Sequence, residues 1–359
     1  MVILGSTGSI GVNVLNIARD FSLEVEVLSA GNNIELLNRQ IKEFHPKLVV
    51  VADEESVSKV AHKNVLFGRE GILEAIRSSK SDLVVNALVG FLGLKPTLEA
   101  IECGKRVALA NKESLVVGGK FVDISKVSPI DSEHFAVWYL LGDRAVEKVI
   151  ITASGGPFRD TPIEEIRDKT AKEALAHPNW SMGKKISIDS ATMTNKLFEL
   201  LEAKWFFGID SLDALIERKS VLHALVEFVD GSTTAHFAGS DMRLPIAYAL
   251  VGDKIDKNIL PHIDLLKIST ISFEKIDPKR YPIWAIKDEV LSNPDTGVVI
   301  NAANEVAVER FLANEIGFLD ISHITLEAFY RYKDIVLDSV EKIFEVDKEV
   351  REFAKSLKR

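Results

Sequence analysis

Met1-Val2-Ile3-Leu4-Gly5-Ser6-Thr7-Gly8-Ser9-Ile10-Gly11 opens the chain, and its reading decides the fold. Four apolar residues run into a turn with glycine at every third position. Ile10, Val14, Ile17 and Phe21 then recur at helical spacing. A strand, a glycine turn and a helix in that order leave backbone N–H groups and the helix N-terminus facing whatever anion sits there. The spacing is Gly-x-x-Gly-x-x-Gly rather than Gly-x-Gly-x-x-Gly, so position rather than pattern makes dinucleotide binding the expected role, against a structural glycine turn.

The pattern repeats downstream. Val25 to Ser29, Leu48 to Ala52, Leu83 to Leu88 and Val107 to Ala110 read as further strands, with Ile34, Leu37, Ile41 and Phe44 as a second helical stripe. Near-continuous Val/Ile/Leu strands separated by helices mean a parallel sheet covered on both faces. An α/β, doubly wound, Rossmann-like sheet is therefore expected at the N-terminus. An NAD site usually carries an acid at the end of the second strand to hold the ribose hydroxyls. Here that end reads Leu28-Ser29-Ala30-Gly31-Asn32-Asn33, without an acid, which favours NADP; no Arg or Lys stands there to grip the extra phosphate.

Composition bounds the partners. With 359 residues, 47% hydrophobic and 27% charged, the chain has the make-up of a globular protein of two or three domains. A net charge of -9 argues against nucleic acid or an anionic membrane surface, so an anionic substrate needs a local cluster of donors. Cys103 is the only cysteine and cannot form an internal disulfide, consistent with a reducing cytoplasm; its apolar surroundings suggest a small core residue. The chain begins on a strand, without an expected signal or transit peptide, and has no run of 18 apolar residues.

Past residue 110 the chemistry-bearing residues gather. Asp131-Ser132-Glu133, read as extended, puts two carboxylates on one face. Asn195 and Glu199, four apart on a helix, share another. Three hard oxygen ligands from two segments suit Mg²⁺ or Mn²⁺. Ser154-Gly155-Gly156-Pro157 follows a strand from Val149 to Thr152 and reads either as a phosphate cradle or as an ordinary tight turn. Ala176 to Lys185 mixes aromatic, His and Gly residues as a lid or a surface-packed loop. Leu222 to Val229 and Ser232 to Phe237 flank Asp230-Gly231 as a hairpin. From about residue 284 the pattern is helical.

The motifs GSTGSIG (5–11), ANKES (110–114), PIDSEH (129–134), ASGGPF (153–158), HPNWSMGKKISIDSATMTNK (177–196) and NAANEVAV (301–308) together resemble the 1-deoxy-D-xylulose 5-phosphate reductoisomerase family over essentially the whole chain. The resemblance implies a homodimer with an NADPH-binding domain (1–125), a central α+β catalytic domain with a lid (126–252), a linker (253–283) and a C-terminal helical bundle (284–359). It implies NADPH and a divalent metal, Mg²⁺ or Mn²⁺ with Co²⁺ a further candidate, and a sugar phosphate as substrate. Carried over by motif, Asp131, Glu133 and Glu199 ligate the metal, with Lys112, Glu133 and His177 catalytic. Ser154, Ser190, Asn195 and Lys196 meet the phosphate end, Lys112 and Ser132 the hydroxyl and carbonyl region. His177, Trp180 and Met182 close over the substrate. Thr7, Gly8, Ser9, Ile10, Gly31, Asn32, Asn33, Asn111, Glu113 and Gly183 line the cofactor; many family members carry a basic residue where this chain has Asn32. The other histidines read as structural or solvated, with His134 nearest the chemistry.

Two other readings compete. A metal-independent NAD(P)-dependent sugar-phosphate or homoserine-type dehydrogenase explains the first 110 residues but not the carboxylate set. A non-enzymatic NADP-binding redox sensor needs neither carboxylates nor lid.

Overall fold

The computed structural model describes residues 1–176, 178–180 and 183–357. They form two compact units: Met1–Ser114 with Val122–Ser132 and Asp241–Leu260, and Leu115–Phe121 with Glu133–Ser240 and Pro261 onward.

In the first unit seven strands pair in parallel: β1 (Val2–Leu4), β2 (Val27–Ser29), β3 (Leu48–Val51), β4 (Val65–Phe67), β5 (Leu83–Asn86), β6 (Arg106–Leu109) and β7 (Val127–Pro129). Their order is β4-β3-β2-β1-β5-β6-β7, with Ile3 opposite Leu28 on one side and Val85 on the other. The expected central strands are all present and buried on both faces, which is why they carry unbroken apolar runs. The order reverses direction beside β1, and the crevice at the carboxyl ends of β1 and β5 is where such sheets take ligands. Helix Ser9–Asp20 packs Val14, Leu15 and Ile17 into the core. The helix Arg243–Val251 returns from far along the chain and adds Ile246, Ala247 and Leu250 to that core.

The second unit is built on a mixed sheet of β8 (Val146–Ala153), β9 (Leu212–Glu217), β10 (Leu222–Phe228), β11 (Thr233–Phe237) and β12 (Phe273–Lys275), in the order β11-β10-β8-β9-β12. Strands β8 and β9 run parallel and the other pairs antiparallel. The expected hairpin is β10–β11, turning at Gly231 with φ +85°. Three C-terminal helices, Gly297–Leu312, Phe318–Tyr332 and Val340–Ser356, complete the unit. The first is apolar on nearly all sides and buried accordingly. Thus a doubly wound parallel sheet, a second α+β layer and a helical C-terminal region all appear as the sequence implies.

Cys103 departs from expectation. It lies exposed at the end of helix Leu94–Glu102, because the apolar stripe of that short helix points Leu94, Thr97 and Ala100 inward and turns position 103 out.

Candidate active site

At the dinucleotide loop, the glycines answer to sterics. Gly5 has φ +85°, and a Cβ there would stand 2.6 Å from the Ala87 carbonyl oxygen. A Cβ on Gly11 would lie 2.3 Å from the Gly5 oxygen. The turn hangs from β2 through Gly5 and Ser6 N–H bonds to the Ser29 oxygen. Ser6 and Gln40 exchange buried side-chain and backbone hydrogen bonds of 2.8 Å. Val12 N–H is the first to bond back, to Gly8, so the preceding N–H groups of helix Ser9–Asp20 point out of its open end. Gly8 and Ser9 are exposed, Thr7 and Ile10 half-buried, and among the described residues no side chain caps the helix. That open N-terminus fits a dinucleotide pyrophosphate.

Gly31, Asn32 and Asn33 are exposed after β2. Asn33 Oδ1 accepts from Leu36 N at 3.1 Å, capping the next helix. Asn111 does something the sequence did not reveal. Its Nδ2 donates to the Leu88 and Gly90 oxygens at 2.9 Å and to Glu113 at 3.1 Å, while Oδ1 accepts from Ser114 N and Oγ. Its side chain is thereby engaged in pinning the loops after β5 and β6 together.

The carboxylates form by a different local geometry from the one expected. Asp131 precedes helix Ser132–Leu140, and Glu133 stands in that helix's first turn rather than on an extended segment. A carboxylate there is favoured by the helix dipole. Glu199 comes from helix Thr194–Phe207, where Asn195 Nδ2 and Lys196 Nζ donate to its two oxygens. Asp131, Glu133 and Glu199 each offer an oxygen within 4.8 Å of the others. Lys196 also stands 3.8 Å from Glu133, and Lys112 Nζ lies 3.1 Å from Asp131 Oδ2. Three converging carboxylates are a donor set that fits a hard divalent cation.

Met193 explains how Glu199 is delivered. It breaks the path between helices Lys184–Thr192 and Thr194–Phe207 with φ +70°, yet it is 2% exposed. A left-handed non-glycine costs about 1–2 kcal/mol, here offset by burial of its side chain. No glycine or proline marks this break, so sequence gave no signal.

His223, read from sequence as structural or solvated, belongs beside the site, as does His134, read as nearest the chemistry. His223 Nδ1 lies 3.1 Å from a Glu133 carboxylate oxygen and Nε2 3.2 Å from the Ala238 oxygen. Both ring nitrogens thus face acceptors. Burial disfavours the charged form, but the Glu133 hydrogen bond and charge outweigh it and raise the pKa. His134 is fully buried and its Nε2 donates to the backbone oxygen of Glu199 at 2.8 Å, holding the helix that carries that carboxylate.

The phosphate-type residues also gather. Gly155 and Gly156 have φ +85° and +68°, and a Cβ on Gly156 would stand 2.9 Å from the Ser190 oxygen. The turn from Ser154 therefore packs directly on the helix bearing Ser190. Arg159 donates to the Ser154 oxygen and Tyr281 to the Gly155 oxygen, both at 2.7 Å, and Ser154 Oγ accepts from Gly156 N. Trp180 lies edge-on to His223, with ring centroids 6.4 Å apart. Gly183 is exposed at the start of helix Lys184–Thr192. Ser132 is buried at the start of its helix. His177 and Met182 lie outside the described residues.

A dinucleotide-type sheet in one chain with a carboxylate cluster able to hold a divalent cation points to the class of metal-assisted oxidoreductases. The comparisons narrow this: the chain belongs to the 1-deoxy-D-xylulose 5-phosphate reductoisomerase family. Residues 1–119 match the family model of that description, 127–207 its C-terminal domain model, and 237–353 a DXP reductoisomerase C-terminal domain model. The reductoisomerases of Nautilia profundicola and Wolinella succinogenes are 55% and 54% identical, each aligned over 99% of this chain and 99% and 100% of their own. A crystal structure of DOX-P reductoisomerase in complex with NADPH, fosmidomycin and magnesium superposes with a TM-score of 0.93 at 34% identity, covering 99% of this chain and 97% of that one. The Zymomonas mobilis enzyme with NADPH gives 0.89 at 36%, with the same coverage.

Proposed function

We propose that the protein converts 1-deoxy-D-xylulose 5-phosphate to 2-C-methyl-D-erythritol 4-phosphate, using NADPH and a divalent cation, in non-mevalonate isoprenoid precursor synthesis. The observation that carries this reading is the convergence of Asp131, Glu133 and Glu199 in a chain that opens on a dinucleotide loop. A metal-independent dehydrogenase has no use for that set.

The open N-terminus of helix Ser9–Asp20 and Thr7 to Ile10 hold the cofactor's pyrophosphate, and the exposed Gly31–Asn33 turn meets the adenosine ribose. Gly183, with Asn111 and Glu113 bracing nearby loops, completes the cofactor set. Asp131, Glu133 and Glu199 would hold the cation, which when bound would supply Lewis-acid polarisation of the substrate's oxygens. Magnesium accompanies three of the related structures, and the all-oxygen donor set suits manganese equally.

The remaining residues do the positioning and the charge work. Ser154, Ser190, Asn195 and Lys196 grip the phosphate end, whose binding energy holds the reacting end in register. Lys112 and Ser132 address the carbonyl and hydroxyl region, and the Lys112 ammonium stabilises the oxygen that gains negative charge during rearrangement. His223 holds the Glu133 carboxylate in one orientation. Trp180, with His177 and Met182, covers the substrate and excludes water from the intermediate aldehyde before hydride reaches it.

We further propose a homodimer in the cytoplasm. Strand β11 is a sheet edge, Phe237 on it is 39% exposed, and Trp138 and Tyr139 beside it are 47% and 54% exposed. A second copy covering this edge would remove the apolar exposure. Among the described residues no helix is long and apolar enough to cross a membrane. A lone cysteine suits a reducing compartment. Light scattering should give twice the chain mass, and Trp138→Glu should shift it toward the monomer. For the activity, NADPH consumption on adding the deoxyxylulose phosphate, with the erythritol phosphate as product, is the test; reduction without the rearranged carbon skeleton would refute it.

A further inference from the structure

The NAANEVAV stretch lies on helix Gly297–Leu312, outside every catalytic role described so far. Its neighbours are Val298, Val299, Ile300, Ala302, Ala303, Val306 and Ala307, all fully buried or nearly so. Within that apolar surface Asn301 and Asn304 are both 0% exposed. A leucine at either place would pack without the cost of desolvating an amide. What an amide offers instead is a directed hydrogen bond.

Asn304 uses it on one acceptor. Its Nδ2 donates to Asp189 Oδ1 at 2.7 Å, across 115 residues of chain. Asp189 is 3% exposed, and its other oxygen accepts from Lys185 Nζ at 2.7 Å. Both oxygens of a buried carboxylate are thus held, one by helix Gly297–Leu312 and one by its own helix. Among the described residues, Asn301, one turn earlier, has no hydrogen-bond partner for either side-chain polar atom, so the amide contact to Asp189 rests on Asn304.

The helix that receives this contact needs an anchor. Lys184–Thr192 has no side-chain cap at Gly183 and no acid in its first turn, where Lys184 and Lys185 oppose the helix dipole. Its far end is set by Gly156 against Ser190 and Ala191. Between the two stands Asp189, the residue next to Ser190.

We propose that Asn304 is a positioning residue for the substrate's phosphate end: through Asp189 it fixes the helix that presents Ser190, and helix Gly297–Leu312 thereby sets substrate affinity. This rests on the reading of Ser190 as a phosphate contact. The test compares Asn304→Ala, Asp189→Asn, their double variant and Ser190→Ala in the full protein. It measures kcat, KM for both substrates and Tm. Asn304→Ala should raise KM for the deoxyxylulose phosphate about tenfold, since displacements below 1 Å at a binding group already matter, with kcat and KM for NADPH within about twofold. The double variant should be no worse than the poorer single one, because both act through one contact. Asp189→Asn, which keeps the side-chain volume, carries the test if the alanine variant does not fold. A lowered Tm with unchanged KM in both single variants, while Ser190→Ala raises KM, would overturn the proposal. An unchanged KM in Ser190→Ala would instead overturn the phosphate reading, and this inference with it.

Discussion

Gly156→Ala should separate a strained turn from a displaced binding helix. The residue has φ +68°, and the new Cβ would stand 2.9 Å from the Ser190 oxygen and 3.0 Å from Ala191 Cα. Ordinary contact begins at 3.4 Å. Both neighbours are backbone, so no side chain can swing away, and turn and helix must part by about half an ångström. The left-handed backbone alone costs about 1–2 kcal/mol. A misplacement of ~1 Å can cost ~100-fold in rate, so half of that should lower kcat/KM for the deoxyxylulose phosphate by about tenfold. Gly231→Ala is the internal control: φ is +85°, yet nothing lies within 4 Å of the added carbon. It should lose comparable stability and keep its kinetics. The assays are thermal unfolding and steady-state NADPH consumption. If Gly156→Ala lost only the stability that Gly231→Ala loses, with kcat/KM intact, the contact between the Ser154 turn and the Ser190 helix would not position substrate.

Three further outcomes follow from the same structure. Glu199→Gln should weaken divalent-cation activation by at least about 10–100-fold while the protein stays folded, measured as the metal concentration for half-maximal rate; unchanged activation would remove Glu199 from the ligand set. Asn32→Arg should sharpen the preference for NADPH over NADH in kcat/KM and Asn32→Asp should weaken it, each by roughly ten- to a hundred-fold for one charge-assisted bond; full selectivity in the aspartate variant would place the ribose phosphate elsewhere. Burial disfavours the charged form of Glu26, but donation from Ser81, Ser79 and the Lys80 backbone, with the Lys47 charge, outweighs it and brings the pKa to about 2. With the folded value below the ordinary 4.5, the carboxylate stabilises the fold above about pH 4.5, and that contribution fades as pH falls toward 2. It is worth on the order of 3 kcal/mol, so Glu26→Gln should lower Tm at pH 7 and flatten the acid limb of the stability curve.

The five central strands were legible because burial on both faces leaves no room for polar residues. Strands β4 and β7 were not: each spans three residues at a sheet edge, where β4 is only half-buried with Phe67 exposed and β7 reads Val127-Ser128-Pro129, so neither stands out as a buried apolar run. Nor does local pattern show that Arg243–Val251 returns to the first core, since that contact depends on the whole intervening fold. At the site, the acids were visible by type and spacing although Glu133 belongs to a helix. His223 was not visible, because its partner Glu133 lies 90 residues away in sequence. Asn111 was read as a cofactor contact, whereas its side chain pins loops together, a role fixed by carbonyls of a loop 21 and 23 residues earlier.

The most direct test of the account is a cation titration of chelator-treated protein in the presence of NADPH and 1-deoxy-D-xylulose 5-phosphate. The wild-type protein should consume no NADPH without added cation, recover to saturation with Mg²⁺ or Mn²⁺, and form 2-C-methyl-D-erythritol 4-phosphate in step with NADPH loss, while Glu133→Gln should require far more cation. Undiminished turnover after chelation, or equal cation demand in the two proteins, would contradict the assignment of Asp131, Glu133 and Glu199 as the metal centre of this reaction.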